Sequence, residues 1–465
     1  MNVKALGIYL GKELRLGVLF QYAIPGADVI NRFVADETFI NLVPQPTLST
    51  AFSAATPAQQ QSFWRDVQSV PFNGRYSSQS KGWLLPAFFQ NLLPEGVFRD
   101  HIAGLRNCDP NDHFEMLAAC GRDLPGNVYA LPVELSRDEL TRYVTQQGDS
   151  LEMSVTADPL DDGVSLSGVQ PKLGVIKEGD RYVARTREHD THIIAKLPVA
   201  GQPRLPELEY FSLQLACAAG VNVCEASLEP LETLAIEHGY DLGDIDDKTN
   251  FLAVVRYDRS PAGRIHCEDF AQVLGVMPEN KCSATRATYL AVAATLLVLP
   301  GLGEKAVHEL LRRMMVNELL GNPDMHLKNI GLRYPDGITA EFPPAYDIVA
   351  YAAMSRRIGH ALALMPDDLM PTSFTKTGNA GEHMKPALTP AVLRAFTAAL
   401  GMSEKPAHSA LRECVKAAYA RWPGMIAASP LTEQQKSRLL AHFTRHPAIV
   451  SLKQRADRAA AKAAP

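Results

Sequence analysis

The 465-residue sequence predicts an α+β chain arranged as two lobes, a β-rich one followed by a helical one. Three observations point there. The run from Leu151 to about Arg259 is dominated by short strand-type segments. From about Pro261 the pattern turns helical. The length also exceeds what one ordinary core organises, so two or three domains are expected. The expected divisions are 1–110, a mixed N-terminal unit; 111–259, the β-rich lobe; and 260–465, a lobe expected to be all-helical.

Each element follows from its residues. The first hundred positions mix strand-like runs (ALGIYLG, LRLGVLFQY) with helical ones, and GWLLPAFFQNLLPEG offers Phe and Leu for burial. The β-rich stretch contains LSGVQPKLGVIKEG, RYVART, THIIAKLP and FLAVVRYDR. Its one clear helix, ELEYFSLQLACAAG, spaces Leu208, Phe211, Leu215 and Ala218 helically and stops at Gly220. In the helical half, TPAVLRAFTAALG has Thr389 to cap it, Pro390 at its first position and Gly401 at its end. YLAVAATLLVLPG, from Tyr289, is broken by Pro300 before the roughly 20 residues a membrane span needs, so it reads as a buried helix. The basic, Ala-rich end SLKQRADRAAAKAAP reads as a terminal helix.

Bulk properties narrow the function. With 46% hydrophobic and 21% charged residues the composition is globular. A net charge of -5 argues against nucleic-acid binding through a broad basic field of the chain's own. Seven scattered cysteines, none spaced as CxxC, give no zinc or redox motif and suit a reducing cytoplasm. The opening MNVKALGIYLGKELRLG lacks the continuous apolar stretch of a signal peptide.

Four stretches carry chemistry when taken in order. SLSGVQPKLG (165–174) reads either as a plain hairpin or as a loop whose backbone N–H groups, around Ser167 and Gly168, meet phosphate oxygens. Lys196 ends the apolar strand THIIAKLP, where it is either solvated or pairs with phosphates; Glu209 either pairs with it or only favours a helix N-terminus. FLAVVRYDR, with Val255 and Tyr257, sits where β gives way to α: a connector that could line a base, or a strand end with a solvated salt bridge. Finally, GNPDMHLKN spaces Asp324 and Asn329 as D-x-x-x-x-N, and PAYDIVAY sets Asp347 in an apolar run. In protein kinases that spacing places a base for the hydroxyl proton and a Mg²⁺ ligand. A carboxylate amid apolar residues is costly unless a cation neutralises it, and oxygen-only ligands suit Mg²⁺ holding ATP. Phosphate loop, lysine, connector, Asp/Asn loop and late Asp follow the order a two-lobed, protein-kinase-like fold needs.

On LPAFFQNLLPEG, GRDLPGNV, SLSGVQPKLG, HIIAKLP, VRYDR, CEDFAQVLGV, GNPDMHLKNIGL and PAYDIVAY, the chain resembles the HipA family of serine/threonine kinase toxins of bacterial toxin–antitoxin pairs. The resemblance implies Asp324 as base, Asn329 and Asp347 as metal ligands and Lys196 on the nucleotide phosphates. His326 and Lys328 would support the loop or the γ-phosphate, Val255 and Tyr257 would line the adenine site, and Gln272 would reach the nucleotide region. Ser165 falls where the family has an autophosphorylated serine, with Ser167 a second candidate. The resemblance further implies a small helix-turn-helix, HipB-like antitoxin through which operator DNA is bound. A protein substrate, an aminoacyl-tRNA synthetase such as glutamyl-tRNA synthetase, would be phosphorylated to inhibit translation. Pro171 departs from the polar or acidic residue expected there. A kinase with another protein or small-molecule substrate, and a nucleotide-binding co-regulator of transcription, stay open as alternatives.

Overall fold

The structure, a computed structural model, describes residues 2–23, 29–74, 84–136, 139–140, 152–153, 156–161, 163–166, 170–186, 189–354, 359–371 and 387–463. The alternating opening segments form an antiparallel meander of β1 (Asn2–Leu10), β2 (Leu14–Ala23) and β3 (Val29–Ala35). β4 (Val128–Pro132) pairs antiparallel with β1, and β5 (Glu152–Met153) pairs parallel with it. This first sheet therefore extends past residue 110, where its unit was expected to end. β4 is short, and its pairing with β1 is long-range, so no local pattern announces it.

Both faces of this sheet carry buried apolar residues, alternate positions pointing to opposite sides. Leu6 and Ile8 join a core with Phe33, Trp64, Phe72 and Phe88, whereas Val3 and Ala5 pack with Val18 and Phe20. The first of these cores draws on α1 (Glu37–Ile40), α2 (Pro57–Arg65), α3 (Ala87–Gln90), α4 (Gly96–Arg106) and α5 (His113–Cys120).

A second sheet runs in the order β10-β7-β6-β8-β11-β9. Its strands are β6 (Lys172–Glu178), β7 (Arg181–Val183), β8 (Ile193–Lys196), β9 (Ala226–Pro230), β10 (Leu234–Ala235) and β11 (Asn250–Val255). α6 (Leu205–Ala218) covers it with the fully buried Leu208 and Leu215, and Gly220, at φ 90°, ends the turn as its sequence predicts.

The second lobe is mostly helical but not all-helical. Two ribbons interrupt it, β12 (Arg259–Ser260) with β13 (Gly263–Arg264) and β14 (His266–Asp269) with β15 (Gly331–Tyr334). Short α7 (Phe270–Val273) follows β14 and is closed by a capping box between Asp269 and Gln272. Around them stand α8 (Tyr289–Val298), α9 (Glu304–Leu320), α10 (Pro390–Ala399), α11 (Glu404–Ala428), α12 (Glu433–Arg445) and the terminal α13 (Pro447–Ala463). Tyr289, Val292, Ala293 and Leu296 bury α8 in the core, and Thr389 caps α10 as expected. Among the described residues no helix is long and apolar enough to cross a membrane.

The N-terminal unit grips the β14–β15 ribbon. Buried Glu268 accepts hydrogen bonds from Ser49 Oγ at 2.6 Å, Thr50 N–H at 2.9 Å and the Tyr334 hydroxyl at 2.5 Å. Gly331 sits within this seam, where a Cβ would stand 2.9 Å from the Glu268 carbonyl and 3.1 Å from the Tyr257 hydroxyl. Gly331→Ala is therefore expected to destabilise the fold by about 1–3 kcal/mol. A denaturant midpoint equal to that of the unsubstituted protein would contradict this.

Candidate active site

The loop after α9 is built by its own sequence. Gly321, at φ 64°, ends the helix in the left-handed region. The Asn322 N–H donates to Asn317 O at 2.8 Å, and the Asn322 carboxamide oxygen accepts from the Asp324 N–H at 3.0 Å. Met325 and Leu327 point into the core, and the Tyr289 hydroxyl donates to Met325 O at 2.8 Å. Asn329 Nδ2 then donates back to Asp324 O at 2.8 Å. Residues 325–328 are thus all buried, and the Asp324 side chain stays 48% exposed.

The late aspartate is fixed from both sides. Ala345 exchanges backbone hydrogen bonds with Asn222 and Cys224, and the Ala350 N–H donates to Ser212 Oγ at 2.8 Å. Between these anchors Asp347 sits at φ 57°, a left-handed conformation that aspartate tolerates better than most residues but still adopts at a cost.

Lys196 joins the two halves. Its ammonium donates to Glu209 Oε1 and, at 2.5 Å, to Asp347 Oδ1. The first contact decides the question left by the sequence: Glu209 is its partner. Directly across the strand pair stands Lys172, also buried. Like charges facing each other on a sheet repel, so this arrangement holds only beside carboxylates or another anion. Burial works to remove the Lys196 proton, but Asp347 and Glu209 outweigh it and hold the ammonium well above its ordinary range. Lys172 moves the other way, to about 8, through burial and the Lys196 charge. Burial would likewise raise the Asp347 carboxyl, yet Lys196 and Lys172 keep it well below the usual carboxylate range.

These groups face a cavity of about 150 Å³. Its wall includes Ser165, Lys172, Lys196, Val255, Tyr257, Gln272, Lys328, Asn329 and Asp347. That volume is below the several hundred cubic ångströms common for ligand pockets, and Ser165 and Leu166 occupy one side of it. Ser165 is buried, with its hydroxyl donating to Leu92 O and its N–H to Asp123 O at 3.0 Å. Ser167 and Gly168 lie outside the described residues.

Other expected residues are placed with more specific partners than the sequence suggests. Tyr257 stacks on Tyr346 with ring centroids 5.3 Å apart, so one of its faces is already covered. The Gln272 side chain closes the capping box and donates to Phe88 O at 3.2 Å while lining the cavity. The VRYDR salt bridge is not solvated. Arg256 makes a bidentate pair with Asp258 at 2.9 and 3.0 Å, both buried, and Asp258 also accepts from the Gly126 N–H at 2.7 Å. Together with Asp123 and Arg259 this network ties the connector to the N-terminal unit.

Asp324 stands outside the cavity wall, with His326 Nε2 3.7 Å from its Oδ1. Burial and the charge of Asp347 raise its carboxyl to about 6. His326 is pushed down to about 4, by burial first and then Lys281, so it is neutral at neutral pH and brings no charge to a phosphate. Lys328, on the cavity wall, is held by Asn91 and Asp269.

The donor set suits magnesium. The Asn329 amide is oriented by its N–H bond to Asp324 O, and Asn329 and Asp347 both line the cavity. Among the described residues no three His, Cys, Asp or Glu side chains cluster as a metal cage. An amide oxygen with one carboxylate is the kind of set Mg²⁺ uses, since that ion is held by one or two protein oxygens together with substrate phosphates and water.

Two family models match the chain: the HipA N-terminal domain over residues 10–131 and the HipA-like C-terminal domain over residues 164–422. The Sinorhizobium fredii protein named "Putative kinase Y4dM" is 32% identical over 321 residues, covering 68% of this chain and 71% of that protein. A second from that organism, "Putative kinase Y4mE", is 30% identical over 308 residues, covering 60% and 69%. Among solved structures, a chain of the Shewanella oneidensis MR-1 complex of HipA, HipB and operator DNA aligns with a TM-score of 0.63. It is 20% identical and covers 96% of this chain and 98% of that one, which shows the same fold.

Proposed function

The chain belongs to the HipA family, and on that premise we propose that it is a serine/threonine protein kinase transferring the γ-phosphoryl group of ATP to a protein hydroxyl. The observation that carries this reading is the convergence of Lys196, Asn329 and Asp347 on one cavity wall, with Asp324 on the same loop as Asn329. Lys196 and Lys172 offset charge on the nucleotide phosphates. Asn329 and Asp347 would hold magnesium, which would supply positive charge to the transferred group. Asp324 orients the incoming hydroxyl and accepts its proton, a role suited to a half-exposed carboxylate held near physiological pH.

The reading includes a small HipB-like helix-turn-helix antitoxin, with operator DNA bound through that partner, because a chain of net charge -5 offers no broad basic field. An aminoacyl-tRNA synthetase such as glutamyl-tRNA synthetase is the proposed target class. Autophosphorylation at Ser165 restrains activity in this scheme. A phosphate adds about -1.5 to -2 charge and has no room where the hydroxyl now donates to Leu92 O, so the modified segment must leave the cavity wall.

Incubation with γ-labelled ATP, with and without a magnesium chelator, tests the reading. Magnesium-dependent label on serine or threonine, mapping in part to Ser165, is expected. Absence of any transfer would sink the kinase assignment, and label that never reaches Ser165 would remove the autophosphorylation step.

The acidity of Asp324 sets a pH profile. A base must be ionised to accept a proton, so kcat/KM, which reports the free enzyme, should fall about tenfold per pH unit below about 6 and level off above it. A profile flat between pH 5 and 8 would exclude Asp324 as the titrating base.

A further inference from the structure

Lys328 lies between Asp324 and Asn329 in sequence, and what holds it comes from the other end of the chain. Its side chain is 1% exposed, and its ammonium donates to Asn91 O at 2.8 Å, to Asn91 Oδ1 at 3.2 Å and to Asp269 Oδ2 at 3.2 Å. A buried ammonium needs acceptors on every side, and Asn91 supplies two of them. Asn91 is buried and stiffly held, since its Nδ2 donates to Ala87 O at 2.9 Å and Val276 O at 2.8 Å. The neighbouring Leu92 carbonyl receives the Ser165 hydroxyl, and Glu95 meets Lys281 at 3.1 Å. One short strip of the N-terminal unit thus reaches both the Asp324 loop and the Ser165 wall.

We propose that Asn91 is a positioning residue for the Asp324–Asn329 loop, acting through Lys328. The N-terminal unit then supplies part of the catalytic geometry. This deepens the kinase reading and rests on it. The two functions of the Asn91 amide separate cleanly. Its oxygen serves Lys328, whereas its nitrogen serves the backbone of α3 and of the turn after α7. Asn91→Ala removes the side-chain acceptor and both donors and leaves Lys328 only the Asn91 backbone carbonyl; Asn91→Asp keeps the side-chain acceptor and loses the donors.

In the full chain, Asn91→Ala is expected to lower kcat for phosphate transfer about 10- to 100-fold, because small displacements of a base are costly. Asn91 also lines the cavity, so the Kd of a fluorescent ATP analogue should change, but by less than kcat, because the Lys196–Asp347 pair is held by Glu209 and not by Asn91. Asn91→Asp should recover most of kcat, even with a lower unfolding midpoint. A kcat for Asn91→Ala equal to that of the unsubstituted enzyme, or an equal loss in both variants, overturns the proposal and leaves Asn91 a packing residue. Amide hydrogen exchange over residues 322–330 gives a readout independent of activity. Faster exchange in Asn91→Ala than in Asn91→Asp is expected. Unchanged protection in both overturns the positioning role even if the unsubstituted chain transfers no phosphate, an outcome that would instead remove the kinase reading.

Discussion

Asp324→Asn should reduce γ-phosphoryl transfer by about 10²- to 10⁴-fold while nucleotide still binds. Asparagine keeps the size of the side chain and forms no new steric contact at a position that is 48% exposed. The backbone bonds that shape the loop, from Asp324 N–H to Asn322 and from Asn329 to Asp324 O, do not involve the carboxylate. What disappears is the proton acceptor. The change also removes a negative charge that burial first, and Asp347 second, disfavour. Stability should therefore hold or rise slightly, and loss of transfer cannot be ascribed to unfolding. Transfer by Asp324→Asn at the rate of the unsubstituted protein, with Kd for the ATP analogue unchanged, would reassign the base.

The parts of this site that were legible in the sequence are those whose signal is local. The D-x-x-x-x-N spacing picks out Asp324 and Asn329, whereas nothing local announces that His326 and Lys328 between them are buried. Asp347 was visible as a carboxylate in an apolar run. Other parts arise from contacts between distant segments, and no periodicity reports them. Asn91 meets Lys328, and Asp258 meets Gly126, across stretches that fold as different units. Lys172 was present in the quoted SLSGVQPKLG but gained meaning only from register, which sets it opposite Lys196. The VRYDR segment shows the same limit from the other side. Its charges suggested solvent, yet Arg256 and Asp258 are buried because Asp123 and Arg259 complete the network. The β4 pairing and the two ribbons in the helical lobe were missed for a related reason: strands of two to five residues are too short to show a period.

Lys196→Met should abolish transfer and destabilise the fold at once, and the two losses have one cause. Glu209 is fully buried, and Asp347 lines the same cavity; the ammonium between them is the cation both carboxylates touch. Methionine fills similar volume but leaves an uncompensated buried charge, a change that costs about 3–5 kcal/mol. Part of that cost is relieved if Glu209 takes up a proton. In the variant, burial and the nearby Asp347 raise the folded-state pKa of Glu209 above its unfolded value of about 4.3. A group raised on folding keeps its stabilising effect below the unfolded pKa and loses it as pH climbs toward the folded one. The deficit against the unsubstituted protein should accordingly be wider at pH 8 than at pH 5, measured by denaturant unfolding at both. Transfer should fall at least about 100-fold, the scale of losing one preorganised charge at a reacting group. If Lys196→Met unfolds like the unsubstituted protein at pH 8, Lys172 alone neutralises the pair, and Lys196 is kept there for the nucleotide rather than for the fold.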